Sequence, residues 1–101
     1  MTIELGGNIV LTGFKERDPA ELVVIKKIVG NYARKFSDNV EGYESLNLIM
    51  KPIGGEKAHK FQINAKLMHS GKMTTAEVTE INLFVCVSDV LKKLENQLIK
   101  S

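Results

Sequence analysis

The feature that most constrains the fold is a strict alternation of apolar and polar side chains over residues 60–67. In chain order these are Lys60, Phe61, Gln62, Ile63, Asn64, Ala65, Lys66 and Leu67. Successive side chains of a β-strand point to opposite faces, so the segment predicts a strand with one buried and one open face. Phe61, Ile63 and Leu67 are expected in the core, because a slip of one residue would expose the whole apolar set. Lys60 and Lys66 are expected on the open face.

Two helical segments are predicted to cover the buried face. The first spans about residues 19–36 and starts at Asp18-Pro19, a good N-cap followed by a residue suited to the first helical turn. The second starts after Asn82, which serves as its N-cap. Both carry apolar residues every three or four positions. These are Leu22, Ile25, Ile28 or Val29, Tyr32 and Phe36 in the first, and Phe84, Val87, Val90, Leu91, Leu94 and Leu98 in the second.

The remaining segments predict three more strands. Residues 3–12 are expected to form one strand bent at Gly6-Gly7, with further strands at residues 46–51 and 73–78. Turns are expected at residues 52–57 and 69–72. The order β-α-β-β-β-α predicts a two-layer α+β fold, in which two helices pack on one face of a four-stranded, mostly antiparallel sheet. The 101 residues are expected to form a single domain, residues 1–101.

Composition excludes several classes of protein. The longest apolar run is well short of the about 18–20 residues that span a bilayer, and the N-terminus lacks the pattern of a secretory signal. A single cysteine excludes a disulfide framework and favours a reducing, cytoplasmic setting. The formal net charge is only +2, but residues 51–72 contain five lysines and one glutamate, whereas residues 39–50 contain two glutamates and no lysine. This separation of charge along the chain is the first indication of a partner.

No pattern in the sequence indicates catalysis, a metal or a cofactor. Gly6-Gly7 and Gly54-Gly55 lack the lysine or third glycine of a phosphate-binding loop. His59 and His69 are ten residues apart and have no carboxylate at ligand spacing, which favours surface positions beside turns. Cys86 lies within an apolar helical stretch, where a buried small side chain is expected. We therefore expect neither an enzyme nor a small-molecule substrate.

Basic residues are the remaining candidates for function. Arg34-Lys35 and Lys92-Lys93 lie on the predicted helices, and the lysines of residues 51–72 surround the open strand face. Two interpretations are open: these charges maintain solubility, or they bind the phosphates of a nucleic acid. No aromatic residue alternates with the lysines of the strand, so RNA bound there would be recognised through its backbone and shape rather than by base stacking.

The C-terminal segment resembles the last helix of the ribosome hibernation promoting factor family, which includes the ribosome-associated inhibitor called protein Y. Asn82-Leu83-Phe84 is similar to the start of that helix, and Cys86-Val87-Ser88 to its middle. Leu94, Gln97, Leu98 and Lys100 match its close. The family has the same β-α-β-β-β-α order, a layout like that of double-stranded-RNA-binding domains. The chain departs from the family at Gly30, at Ile81 and Asn82, which replace an acidic pair, and at Asn96.

The resemblance implies a short-form ribosome-associated translation inhibitor or stress factor that occupies the mRNA and tRNA channel of the small subunit. Lys93 and Lys100 match basic positions of the family's helix, and Lys92, Arg34 and Lys35 lie on the corresponding surface. These five are the predicted contacts to ribosomal RNA. The alternative is a protein-interaction module that uses the open sheet face. The two are distinguished by salt dependence, which is steep for RNA binding.

Overall fold

The fold is α+β, as predicted. The structure is a computed structural model that describes residues 2–5, 8–14, 17–54 and 60–98. In chain order its elements are β1 (Thr2–Leu5), β2 (Ile9–Thr12), α1 (Pro19–Asn39), β3 (Tyr43–Ile53), β4 (Lys60–His69), β5 (Lys72–Glu80) and α2 (Leu83–Leu98). Both helices carry buried residues that belong to one core with the strands, which gives the expected two layers.

The strands lie in the order β1-β2-β3-β4-β5. The pairing of β2 with β3 is parallel, with α1 as the crossover, and every other pairing is antiparallel.

The first segment differs from the single bent strand expected for residues 3–12. It folds back on itself as a hairpin that pairs Leu5 with Ile9, and Asn8, just before β2, has a positive φ of 62°. The hairpin adds one strand to the edge of the sheet.

Local hydrogen bonds define where the helices start and stop. Asp18 Oδ1 accepts from the Ala20 amide at 2.8 Å, and Asn82 Oδ1 accepts from the Phe84 amide at 2.9 Å, so both predicted N-caps are confirmed. Helix α1 continues to Asn39, three residues beyond its predicted end. The Val40 amide donates to the Phe36 carbonyl at 2.7 Å there, and Asn39 donates to the Lys35 carbonyl.

The core confirms the predicted register of β4. Ile63, Ala65 and Leu67 are fully buried and Phe61 is half-buried against the core, while Lys60 and Lys66 are exposed. β4 pairs along its length with β3 and β5, so the residues of those strands that lie opposite buried β4 residues face the core as well. The largest fully buried side chains come from β2, the loop after it, both helices, β3 and β4: Phe14, Phe36, Leu11, Ile25, Leu46, Leu48, Ile63, Leu67, Leu91, Leu94, Val29 and Val87.

The β4–β5 turn is anchored to the loop that joins α1 to β3. Ser70 and Gly71 both have positive φ, at 48° and 74°, as a two-residue hairpin turn requires. The Ser70 amide donates to the Gly42 carbonyl at 2.9 Å, and the Gly71 amide donates to Glu44 Oε2 at 2.8 Å. A Cβ on Gly42 would overlap the Ser70 hydroxyl, so this position requires glycine.

Leu94→Ala is expected to lower the free energy of unfolding by about 2–5 kcal/mol, because Leu94 is fully buried. That is a large part of the roughly 5–15 kcal/mol that stabilises a small domain. The matched control is Val85→Ala on the same helix, where the side chain is 43% exposed and the change should stay within about 0.5 kcal/mol. Urea unfolding measures both. Equal effects would show that α2 packs through another face.

Two glycine-to-alanine changes are expected to act in opposite directions. Gly30→Ala should stabilise the protein by about 0.5–1 kcal/mol, because among the described residues nothing outside the helix lies within 4 Å of the new Cβ. Gly42→Ala should destabilise it by about 1–2 kcal/mol or more, because φ is +75° and the Cβ meets Ser70. Thermal melting compares them, and a lower midpoint for Gly30→Ala would contradict the packing of α1.

Candidate nucleic-acid interface

The neighbouring residues Lys92 and Lys93 point in different directions. An α-helix turns about 100° per residue, so adjacent side chains leave it on different sides. Lys93 Nζ donates to the Glu77 carbonyl at 3.2 Å, and Gln97 Nε2, one turn later, donates to the Thr75 carbonyl at 3.1 Å. Lys93 therefore lies over β5. Lys92 is exposed on the outer side of α2.

Lys35 is paired between the helices. Its Nζ forms an ion pair with Glu95 Oε2 of α2, whose side chain is only 18% exposed. The hydrogen bond that Lys35 donates to Glu95, followed by the attraction of the Glu95 charge, raises the pKa of Lys35 above its usual value. Because Glu95 compensates this ammonium group, Lys35 contributes less to attraction of a distant anion than a free lysine would.

Arg34 and Lys27 lie on the solvent side of α1, seven residues and therefore about two turns apart. No ion pair joins Arg34, Lys27 or Lys92 to an acidic group within the described ranges. Lys26, which is also exposed on α1, has no such ion pair either, so these four side chains are the free cations on the described parts of the helices. Of the five predicted RNA contacts, Arg34 and Lys92 are thus free, Lys35 and Lys93 are partnered, and Lys100 lies outside the described residues.

The open face of the sheet carries a second basic surface. Lys51, Lys60 and Lys66 point away from the helices, and Glu77 is on the same face by its register opposite Asn64. A groove of about 590 Å³ crosses this face from β3 to the edge of β5, where Lys93 and Gln97 reach it from α2. Sequence reasoning missed this groove, because only the packing of α2 beside β5 brings Lys93 next to the strand lysines.

The groups with possible catalytic chemistry are engaged in structural contacts. Cys86 is fully buried and its Sγ donates to the carbonyls of Phe61 and Val78, each at 3.3 Å. His69 Nε2 lies 2.9 Å from Thr74 Oγ1, beside the hairpin turn. His59 lies outside the described residues. In the part of the chain that the structure describes, no three His, Cys, Asp or Glu side chains are grouped as a metal site would require.

Two solved structures share this fold. A ribosomal subunit interface protein from Coxiella burnetii superposes with a TM-score of 0.63 at 16% identity, covering 92% of this chain and 92% of that chain. The protein Y N-terminal domain from Thermus thermophilus gives a TM-score of 0.60 at 14% identity, covering 89% of this chain and 90% of that chain.

The chain has a hibernation-factor-like fold. The likeness extends over nearly the whole chain, so the hibernation-factor-like fold includes both helices and the sheet. No family model matches the sequence, and no match is found among the curated proteins. No helix in the described ranges is both long enough and apolar enough to cross a membrane.

Cys86 is expected to react slowly with alkylating reagents in the native protein. Burial raises the pKa of its thiol, so less thiolate is present at pH 8 than in the unfolded chain, and the core also blocks access. Labelling with iodoacetamide, followed by mass spectrometry, should be much faster in urea than in buffer. Equal rates in the two conditions would show that the α2–β4 contact is open.

Proposed function

We propose that this chain binds the small ribosomal subunit and inhibits translation by occupying the channel used by mRNA and tRNA. The supporting observation is the end-to-end likeness of its fold to a ribosomal subunit interface protein, which covers 92% of both chains. The similarity of the α2 sequence to the hibernation-factor helix supports the same conclusion. A protein that acts on ribosomes in this way works in the cytoplasm.

The helix layer is the proposed RNA-binding surface. Arg34 and Lys27 on α1, and Lys92 on α2, are exposed and have no acidic partner in the described ranges. Two of the acidic groups on the helices are already compensated, since Glu21 pairs with Arg17 at 2.9 Å and Glu95 pairs with Lys35. The free cations are therefore available for phosphate groups, which Arg binds through two parallel hydrogen bonds and Lys as a point charge.

Inhibition in this proposal is steric and involves no chemical step. Phosphate contacts release condensed counterions from the RNA, so they supply affinity that decreases as salt is added. A compact two-layer domain that occupies the channel leaves no room for the mRNA and tRNA that would otherwise bind there. Few free cations imply reversible binding, with a modest salt slope compared with that of highly basic RNA-binding proteins.

The double variant Arg34→Glu/Lys92→Glu is expected to bind small ribosomal subunits about tenfold more weakly or worse, and to flatten the log–log salt dependence by roughly two units. Both residues are exposed, so the melting temperature should change little. Co-sedimentation with purified small subunits at several salt concentrations measures the effect.

The matched control is Lys51→Glu/Lys60→Glu, which makes the same charge change on the opposite face of the molecule. It should bind nearly as well as the unchanged protein. Loss of binding in the control alone would show that the RNA-binding surface is the open sheet face and not the helix layer. Full binding by both variants would reject electrostatic recognition of ribosomal RNA by this chain.

A further inference from the structure

The groove on the open sheet face has features of a binding site beyond the proposed ribosomal contacts. It is an open depression of about 590 Å³ and not an enclosed cavity. The helices cover the other side of the sheet, so the groove and the helix cations Arg34 and Lys92 face different directions. Its charged and amide side chains come from three strands and from α2: Lys51, Asn64, Lys66, Glu77, Lys93 and Gln97.

Lys93 is held in place at the rim of this groove. Its bond to the Glu77 carbonyl uses one of the three protons of the ammonium group, and the other two remain for a ligand. Gln97 is held in the same way through the Thr75 carbonyl. A side chain fixed before binding loses less conformational entropy when a ligand arrives, so these contacts favour binding at the rim.

The electrostatics of the groove favour an anionic ligand. Lys51, Lys66 and Lys93 line it, and none of them forms an ion pair with an acidic group in the described ranges. Glu77 is the one carboxylate among its described lining residues, so three positive charges face one negative charge. A ligand that carries several negative charges is therefore attracted.

The backbone at the edge of β5 adds hydrogen-bond donors. The carbonyls of Thr75 and Glu77 point away from β4, because they accept bonds from α2 side chains. In an antiparallel strand the amide of each residue points to the same side as its carbonyl, so these two amides also face the free edge. With the carbonyls occupied, this edge offers donors at every second residue, the spacing at which an extended peptide presents its carbonyl oxygens.

We propose that this groove binds an extended acidic segment of a partner protein. Alternate side chains of such a segment share one face, so its carboxylates meet the groove lysines while its carbonyls reach the β5 amides. Ile49 supplies an apolar contact at the floor. No described lining residue is aromatic, so the bases of a single-stranded RNA would find no stacking partner here.

Fluorescence anisotropy of the full chain with a labelled peptide of alternating glutamate and serine tests the proposal. Lys66→Gln and Lys93→Gln should each weaken binding by about two- to fivefold, the range of an exposed ion pair. Glu77→Gln should tighten binding by a similar factor, because it removes the opposing charge. Labelled oligouridylate of the same net charge should bind more weakly than the peptide.

Lys60→Gln is the matched control, since Lys60 lies on the same strand and face as Lys66 but outside the groove lining. It should leave peptide binding unchanged. An equal loss with Lys60→Gln would reveal diffuse charge attraction and overturn the proposal. So would the absence of peptide binding, or tighter binding of oligouridylate with the same dependence on Lys66. Arg34→Glu/Lys92→Glu should not affect the peptide, so failure here is distinguishable from failure of ribosome binding.

Discussion

The burial of one face of β4 beneath α2 is the constraint on which the rest of the molecule depends. Ile63, Ala65 and Leu67 are fully buried in the core with Leu94 of α2. A shift of one residue would turn Lys66 into that core, where an unpaired ammonium group is very costly. Because β3 and β5 pair along the length of β4, the same burial determines which of their residues face solvent. The open-face lysines and their groove are therefore consequences of core packing.

The basic side chains on the two helices differ mainly in whether they bind another group of the protein. Lys35 binds Glu95 and so holds α1 to α2, while Lys93 binds the Glu77 carbonyl and so holds α2 to β5. Both residues help to position the helices, so that, of the predicted RNA contacts in the described residues, Arg34 and Lys92 carry free charges on the outer surface. Lys35 does not add fully to long-range attraction, because the carboxylate of Glu95 compensates its charge, whereas Lys93 keeps its full charge beside a neutral carbonyl.

Local and periodic signals allowed most of the fold to be predicted from the sequence. The caps Asp18 and Asn82 act within three residues of themselves, and the buried face of α2 follows from spacing alone. The β1–β2 hairpin was missed because paired glycines are compatible with a bend in one strand as well as with a turn between two, and only the pairing of Thr2–Leu5 with Ile9–Thr12 distinguishes them. The candidate site was only partly predictable. The partners of Lys35 and Lys93 lie on other elements, and only tertiary packing brings them into reach.

The hydrogen bonds from Lys93 and Gln97 to the edge of β5 also bear on how this protein behaves in a crowded solution. Two edge strands join when each offers donors and acceptors to the other. Pairing of two copies at their β5 edges would bring the Lys93 side chains of both copies together, so like charge opposes it. The sheet therefore resists growth from this side by self-association, although its edge strand is nine residues long. The contacts that hold α2 against β5 therefore also limit association between copies of the protein.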